Sequence, residues 1–401
     1  MLRTTMPPRI RAADGMSRFL VHSLPLSGHA NAIAAVASVL VDRGHEVAWA
    51  GSSSFLRPLV GPDTTIYPTG MRLYRGALRD HGLTSVKSRW EGYIAPVTKF
   101  MLPAVEAAVR TFQPDVLMVD QHAIAGALAA HRQGVAWATL VPSTAELADP
   151  YRDLPRVKTW IEDQITDMWM DAGFPGLPPH DLRYSPHLVL AFTCPMLAGP
   201  PPPGVEMVGA ALARRPAADF PWDRLDPARK HVLVSVGTIG MDMAEDFFGR
   251  VAAALRPLAD RVQAILIAPA ELIPDPPAGA IIVTHAPLLD LMPRLDAVLT
   301  HGGLNTVCEA LFHGLPLVVA PIKSDQHINA TQVAAAGAGI RVKFHRADPD
   351  QLRAAISAVL DEPSYRAAAE LVREDLRAAG GAEAAADRLV KLATAGAVAV
   401  A

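Results

Sequence analysis

The most constraining feature of this chain is a rhythm. From Arg18 onward, short apolar runs of strand length alternate with longer stretches of helical periodicity, and after a proline-rich interruption near the middle the alternation begins again. Strands separated by helices are the signature of βα units, in which a parallel sheet is buried between helical layers. The chain has 401 residues, and a single hydrophobic core stops growing near roughly 250 to 300. Two α/β domains are therefore expected, with a crevice where the carboxyl ends of their sheets face one another.

In the first half, residues 19–22, 47–50, 116–119, 136–141 and 188–192 read as strands. Ile33, Val36, Ala37, Leu40 and Val41 recur at helical spacing and stop at Gly44, a residue suited to the left-handed position after a helix. In the second half, 231–236, 262–267, 280–283, 297–300 and 317–320 read as strands and 243–258 as a helix. Residues 71–99 and 146–184 interrupt the pattern with weak periodicity and bulky side chains. Such insertions on a regular scaffold are where a specificity pocket is built, and Tyr93, Phe100, Trp160 and Trp169, in or next to them, are the candidates to line it. The competing expectation for them is ordinary core packing.

The expected boundaries are a flexible leader over 1–16, with Met16 a second candidate start; a first domain over 17–199; a linker over 200–217, opened by four consecutive prolines; a second domain over 218–380; and a C-terminal helix over 381–401, expected to pack back on the first domain.

Charge and cysteine usage exclude several functions. The 37 basic and 40 acidic side chains leave a net charge of −3, so nothing electrostatic favours nucleic acid or an anionic membrane surface. No run of about 18 apolar residues is present, so no membrane span is expected. The two cysteines, Cys194 and Cys308, supply neither a zinc site nor a disulfide framework, which suits a reducing cytoplasm.

The segment with the most chemistry is His301-Gly302-Gly303-Leu304-Asn305-Thr306-Val307-Cys308-Glu309, following a strand. Leu304, Val307, Cys308 and Leu311 form one stripe of the ensuing helix, and Asn305, Thr306 and Glu309 fall on the opposite, polar face. Glycines at the turn let backbone approach a ligand, and the free N–H groups of a helix start favour a phosphate. Glu309 can accept two hydrogen bonds from vicinal hydroxyls. In the first half, His29 stands near a helix start, whose dipole disfavours imidazolium and is expected to keep the ring neutral. Asp120 ends a strand at the same sheet edge and can fix the tautomer of that ring, while His122 is a rival base and a further candidate to contact the substrate.

Taken together, His301 to Glu309, His313-Gly314-Leu315-Pro316, Ser324-Asp325-Gln326-His327, Gly28-His29 after the first strand, Arg43-Gly44-His45-Glu46-Val47 and Val234-Ser235-Val236-Gly237-Thr238 resemble the signature of family-1 inverting glycosyltransferases of the UGT-like and macrolide type. The resemblance implies a GT-B fold: two Rossmann-like α/β domains with parallel sheets facing an interdomain cleft. It implies that His29 and Asp120 are the catalytic base and its partner. Donor contacts would come from Thr238, His301, Gly302, Gly303, Asn305 and Thr306 at the diphosphate, Glu309 at the ribose, and Asp325 and Gln326 at sugar hydroxyls. Retention of both these last side chains favours a hydroxyl-rich hexose. His285-Ala286-Pro287-Leu288 stands where many relatives carry a tryptophan that stacks on uracil, so His285, Ala286 and Leu288 are the base contacts and both UDP- and dTDP-sugars stay open. The base loop reads Gly28-His29-Ala30, with alanine where relatives usually have proline.

The expected partners are a nucleotide-sugar co-substrate and a small natural-product acceptor, with no cofactor and no metal, and a homodimer left open. Asp348-Pro349-Asp350 matches the Asp-x-Asp of metal-dependent transferases but reads better as a helix cap followed by proline at the first helical position. Dinucleotide, P-loop and nucleophile-elbow motifs are absent. Two alternatives share the residues: a nucleotide-sugar epimerase of the same fold, and an inactive nucleotide-sugar-binding accessory protein.

Overall fold

The computed structural model describes residues 15–71, 82–212, 218–237 and 244–398. The expected rhythm appears as two all-parallel sheets. The first has strands β1 (Arg18–His22), β2 (Glu46–Gly51), β3 (Thr65–Pro68), β4 (Val116–Asp120), β5 (Trp137–Val141), β6 (Val189–Ala191) and β7 (Val205–Met207), in the order β3-β2-β1-β4-β5-β6-β7. The second has β8 (Lys230–Ser235), β9 (Val262–Ile267), β10 (Ile281–Val283), β11 (Ala297–Thr300), β12 (Leu317–Val319) and β13 (Gly339–Arg341), in the order β10-β9-β8-β11-β12-β13.

Both faces of a parallel sheet are covered, so its strands read as near-continuous apolar runs; β4 and β5 are buried along their whole length. The edge strands β3, β7 and β13 did not stand out in the sequence. Each has only three or four residues and is partly exposed. Of these, β7 lies inside the stretch expected to be linker and pairs with β6, extending the first sheet.

The strand orders carry the consequence. Each sheet reverses direction of winding once, between β1 and β4 in the first and between β8 and β11 in the second. Ligands of open α/β sheets bind outside the carboxyl ends of the strands at such switch points. The segments leaving β1 and β4 carry His29, in the first turn of helix Ser27–Asp42, and the residues after Asp120; those leaving β8 and β11 carry Gly237 and His301 to Gly303.

The described parts of 71–99 and 146–184 are more regular than their sequence suggested. They contain helices Gly82–Arg89 and Pro155–Asp171, and a π-helical turn, Trp90–Ile94, that turns Trp90, Tyr93 and Ile94 inward. Helix Ser27–Asp42 ends as expected, with Gly44 at φ 82°. Asp348 accepts from the Gln351 N–H and Gln351 reaches back, closing a capping box with Pro349 in the first turn. The last helix, Gly381–Val398, lays Ala382, Ala385, Ala386 and Leu389 on the Ile33 face of helix Ser27–Asp42, and Arg43 pairs with Glu383 and Asp387 across that seam. Among the described residues no helix is long and apolar enough to cross a membrane.

Candidate active site

The first half of the site is a histidine–carboxylate pair. His29 Nδ1 lies 3.0 and 2.9 Å from the two carboxylate oxygens of Asp120. Asp120 is fully buried and also accepts from the backbone N–H groups of Leu24, at 3.3 Å, and His122, at 3.2 Å. Burial alone would raise its pKa, but His29 and these donors outweigh it, so the carboxyl sits below its usual range. The same competition acts on His29. Burial lowers its pKa, the Asp120 charge and hydrogen bond raise it, and the net direction is upward. This corrects the expectation from the helix dipole: a carboxylate at hydrogen-bond distance outweighs partial charges at a helix start, and Asp120 stabilises imidazolium.

The second half is built around His301. An ideal Cβ on Gly237 would lie 2.6 Å from its Cε1, and one on Gly303 would lie 2.9 Å from its Nε2. The ring is thus held between two glycines, and Gly302, at φ 88°, supplies the turn beneath it. Burial lowers the His301 pKa, so this imidazole is neutral at pH 7 and can donate a hydrogen bond without bringing a full charge. Helix Leu304–Phe312 begins immediately afterwards, with Asn305 and Thr306 half-buried. Glu309 does not face open solvent. It is buried, beside Ala32, Phe192 and the chain at Ala210 to Leu212, because the other half of the molecule closes over that side of the helix.

Several hydrogen bonds join the halves, among them those at the cleft. Asn305 Nδ2 donates to the Gly28 carbonyl at 2.8 Å, Ser143 Oγ to Asp325 Oδ2 at 3.2 Å, and Thr144 Oγ1 to Asn329 Oδ1 at 2.8 Å. Gln326 is buried, and its Oε1 accepts from the N–H groups of Ile322 and Lys323, both at 2.9 Å. Half of the amide expected to meet the sugar is therefore holding its own loop.

Other expected residues divide. His285 is exposed, whereas Ala286 and Leu288 pack on the core of the second domain. Tyr93 is buried, Trp160 is half-buried against the same core, and Phe100 is exposed beside Gly70 at the end of β3. Trp169 is buried. It stacks on Phe174 at 4.1 Å and packs edge-on to His131, seven residues along helix Ile124–Gln133 from its first residue, or about 10 Å at 1.5 Å per residue. Thr238 lies outside the described residues.

The sequence of the C-terminal domain of erythromycin biosynthesis protein CIII-like proteins matches residues 261–392. Over 417 aligned positions the chain is 30% identical to 4'-demethylrebeccamycin synthase of Lentzea aerocolonigenes, covering 90% of this chain and 96% of that one. The chain belongs to the natural-product glycosyltransferases. Demethyllactenocin mycarosyltransferase of Streptomyces fradiae is 25% identical, over 94% of this chain and 87% of its own. The crystal structure of spinosyn rhamnosyltransferase SpnG superposes with a TM-score of 0.76 at 25% identity, covering 93% of this chain and 99% of that one. The fold of this glycosyltransferase is accordingly GT-B, as the motifs implied.

Sequence reasoning did not single out four residues that the glycosyltransferase brings to the cleft. Ser143 and Thr144 carry the contacts to Asp325 and Asn329, and Glu146 and Arg183 form a buried ion pair at 2.6 Å beside His122. A buried carboxylate and guanidinium 37 residues apart leave no periodic mark in a sequence. Ligand atoms of His29, Asp120 and His122 also lie within 4.8 Å of one another, a spacing that suits a metal ion as well as a proton relay.

Proposed function

We propose that this glycosyltransferase moves a sugar, a hydroxyl-rich hexose by preference, from a UDP- or dTDP-donor to a hydroxyl of a small natural-product acceptor in the cytoplasm, with inversion and without a metal. The observation that carries the proposal is the bond from His29 Nδ1 to both oxygens of Asp120. A carboxylate on Nδ1 puts the proton there and leaves the Nε2 lone pair to accept one from the substrate.

The acceptor oxygen attacks the anomeric carbon from the face opposite the diphosphate as His29 takes its proton, and a single displacement inverts that carbon. Negative charge develops on the departing diphosphate. The N–H groups at the start of helix Leu304–Phe312, with Asn305, Thr306 and a hydrogen bond from neutral His301, are the preorganised groups that oppose it. Glu309 takes the ribose and His285 the base. The hexose preference rests on Asp325 Oδ1 and Gln326 Nε2, which bond no described residue and are left for sugar hydroxyls. Because leaving either unpaired is unfavourable, a heavily deoxygenated sugar fits less well.

The test is His29→Ala, with turnover on an aglycone panel read beside donor binding. Turnover should fall by roughly two to four orders of magnitude while donor affinity stays near wild type. Undiminished turnover would remove His29 from the mechanism.

A further inference from the structure

Beside the His29–Asp120 pair stands a second one. His122 Nε2 faces Glu146 Oε1 at 3.7 Å, and the two side chains are 7% and 3% exposed. Neither atom has a hydrogen-bond partner. Arg183 holds the other Glu146 oxygen at 2.6 Å and grips both oxygens of Asp181. Burial would push the Glu146 pKa up, but His122 and Arg183 hold it down at about 2, so it is a carboxylate at neutral pH. Glu146 thus sets a buried carboxylate next to the Nε2 edge of the His122 ring. The proton of a neutral His122 is therefore favoured on Nε2, toward Glu146, and Nδ1 keeps its lone pair. No described residue bonds Nδ1.

The two rings lie 5.7 Å apart, centroid to centroid, at 37°, and a nitrogen of each lies within 4.8 Å of the other. One cleft thus contains two imidazoles, each backed by a buried carboxylate and each with one nitrogen left to accept. Hydrogen bonds of ordinary length onto two such nitrogens suit donor oxygens or nitrogens roughly 3 to 5 Å apart, the separation of vicinal or 1,3-related groups.

We infer that the glycosyltransferase selects acceptors carrying a second O–H or N–H vicinal or 1,3 to the reacting hydroxyl, and that His122, positioned by Glu146 and Arg183, binds this second group. The inference rests on His29 facing the reacting hydroxyl and deepens that reading by specifying the acceptor class.

Equilibrium titration of the full chain with 6,7-dihydroxycoumarin and with its 6-O-methyl ether, in the presence of UDP or dTDP, tests it. The wild type should bind the diol about tenfold more tightly, as expected for one lost hydrogen bond from a built site, and His122→Phe should bring the ratio to about one. A ratio near one in the wild type, no measurable binding of the diol, or a ratio preserved in His122→Phe would each overturn the inference. The wild-type ratio decides even if the variant does not fold. Because binding needs no turnover, failure of His29 as the base would appear in rates and leave this ratio intact.

Discussion

Asn305 Nδ2 donates to the carbonyl of Gly28 at 2.8 Å, so a residue of the donor-side helix touches the residue immediately before His29. The second-domain helix is thereby tied directly to the segment that carries His29.

Replacing Asn305 should report on this link. Asn305→Ala removes both a proposed diphosphate contact and the tether to the His29 loop, so kcat/KM should fall roughly tenfold to a hundredfold, the range for a hydrogen bond to a charged group. Steady-state kinetics at varied donor concentration provide the measurement. Unaltered donor KM together with unaltered kcat would separate Asn305 from both roles.

The pH dependence follows from the direction of the His29 shift. Its pKa is raised above 6.5, and a base must be neutral to accept a proton, so activity is lost as pH falls through that raised value. The acid limb of kcat/KM should therefore have an apparent pKa above 6.5. Asp120→Asn removes the charge that raises it, moving the limb to lower pH while cutting kcat by two or more orders of magnitude, because the tautomer is no longer held. A rate independent of pH between 5 and 8 would contradict the assignment.

Gly303→Ala tests the cradle around His301. The new Cβ would fall 2.9 Å from Nε2, and the ring is blocked on its other side by Gly237. A displaced imidazole and a methyl group at the proposed diphosphate site should raise donor KM about tenfold or more, for a cost on the order of 1 to 3 kcal/mol typical of overpacking. Calorimetric titration with UDP or dTDP would show it; unchanged affinity would place the nucleotide elsewhere.

Metal independence is open to direct assay. Turnover should survive exhaustive treatment with EDTA, since hydrogen-bond donors at the helix start are proposed to carry the leaving-group charge. Activity lost to EDTA and restored by zinc would instead put an ion on His29, Asp120 and His122, whose ligand atoms are close enough to share one.

The relation between sequence and structure differs from element to element. Central strands such as β4 and β11 were legible because burial on both faces forces near-continuous apolar runs. The Gly44 stop and the Asp348 cap were legible because they involve only backbone and side chains within a few positions of each other. The edge strands β3 and β7 were not: half-exposed segments of four and three residues carry too few apolar positions to show a period.

The site divides the same way. The sequence by itself determined the two-domain α/β architecture and the motifs around His29, Asp120 and His301, since each depends on local composition or a short spacing. Only the tertiary structure decided how they act together. Strand order puts both motif groups at switch points, and a carboxylate 91 residues away reverses the expected shift of His29. Closure of the other half over helix Leu304–Phe312 buries Glu309, and a guanidinium 37 residues away pairs with Glu146 beside His122. Electrostatics and burial depend on distance in space, and no spacing along a chain encodes which distant groups a fold will bring within a few ångströms.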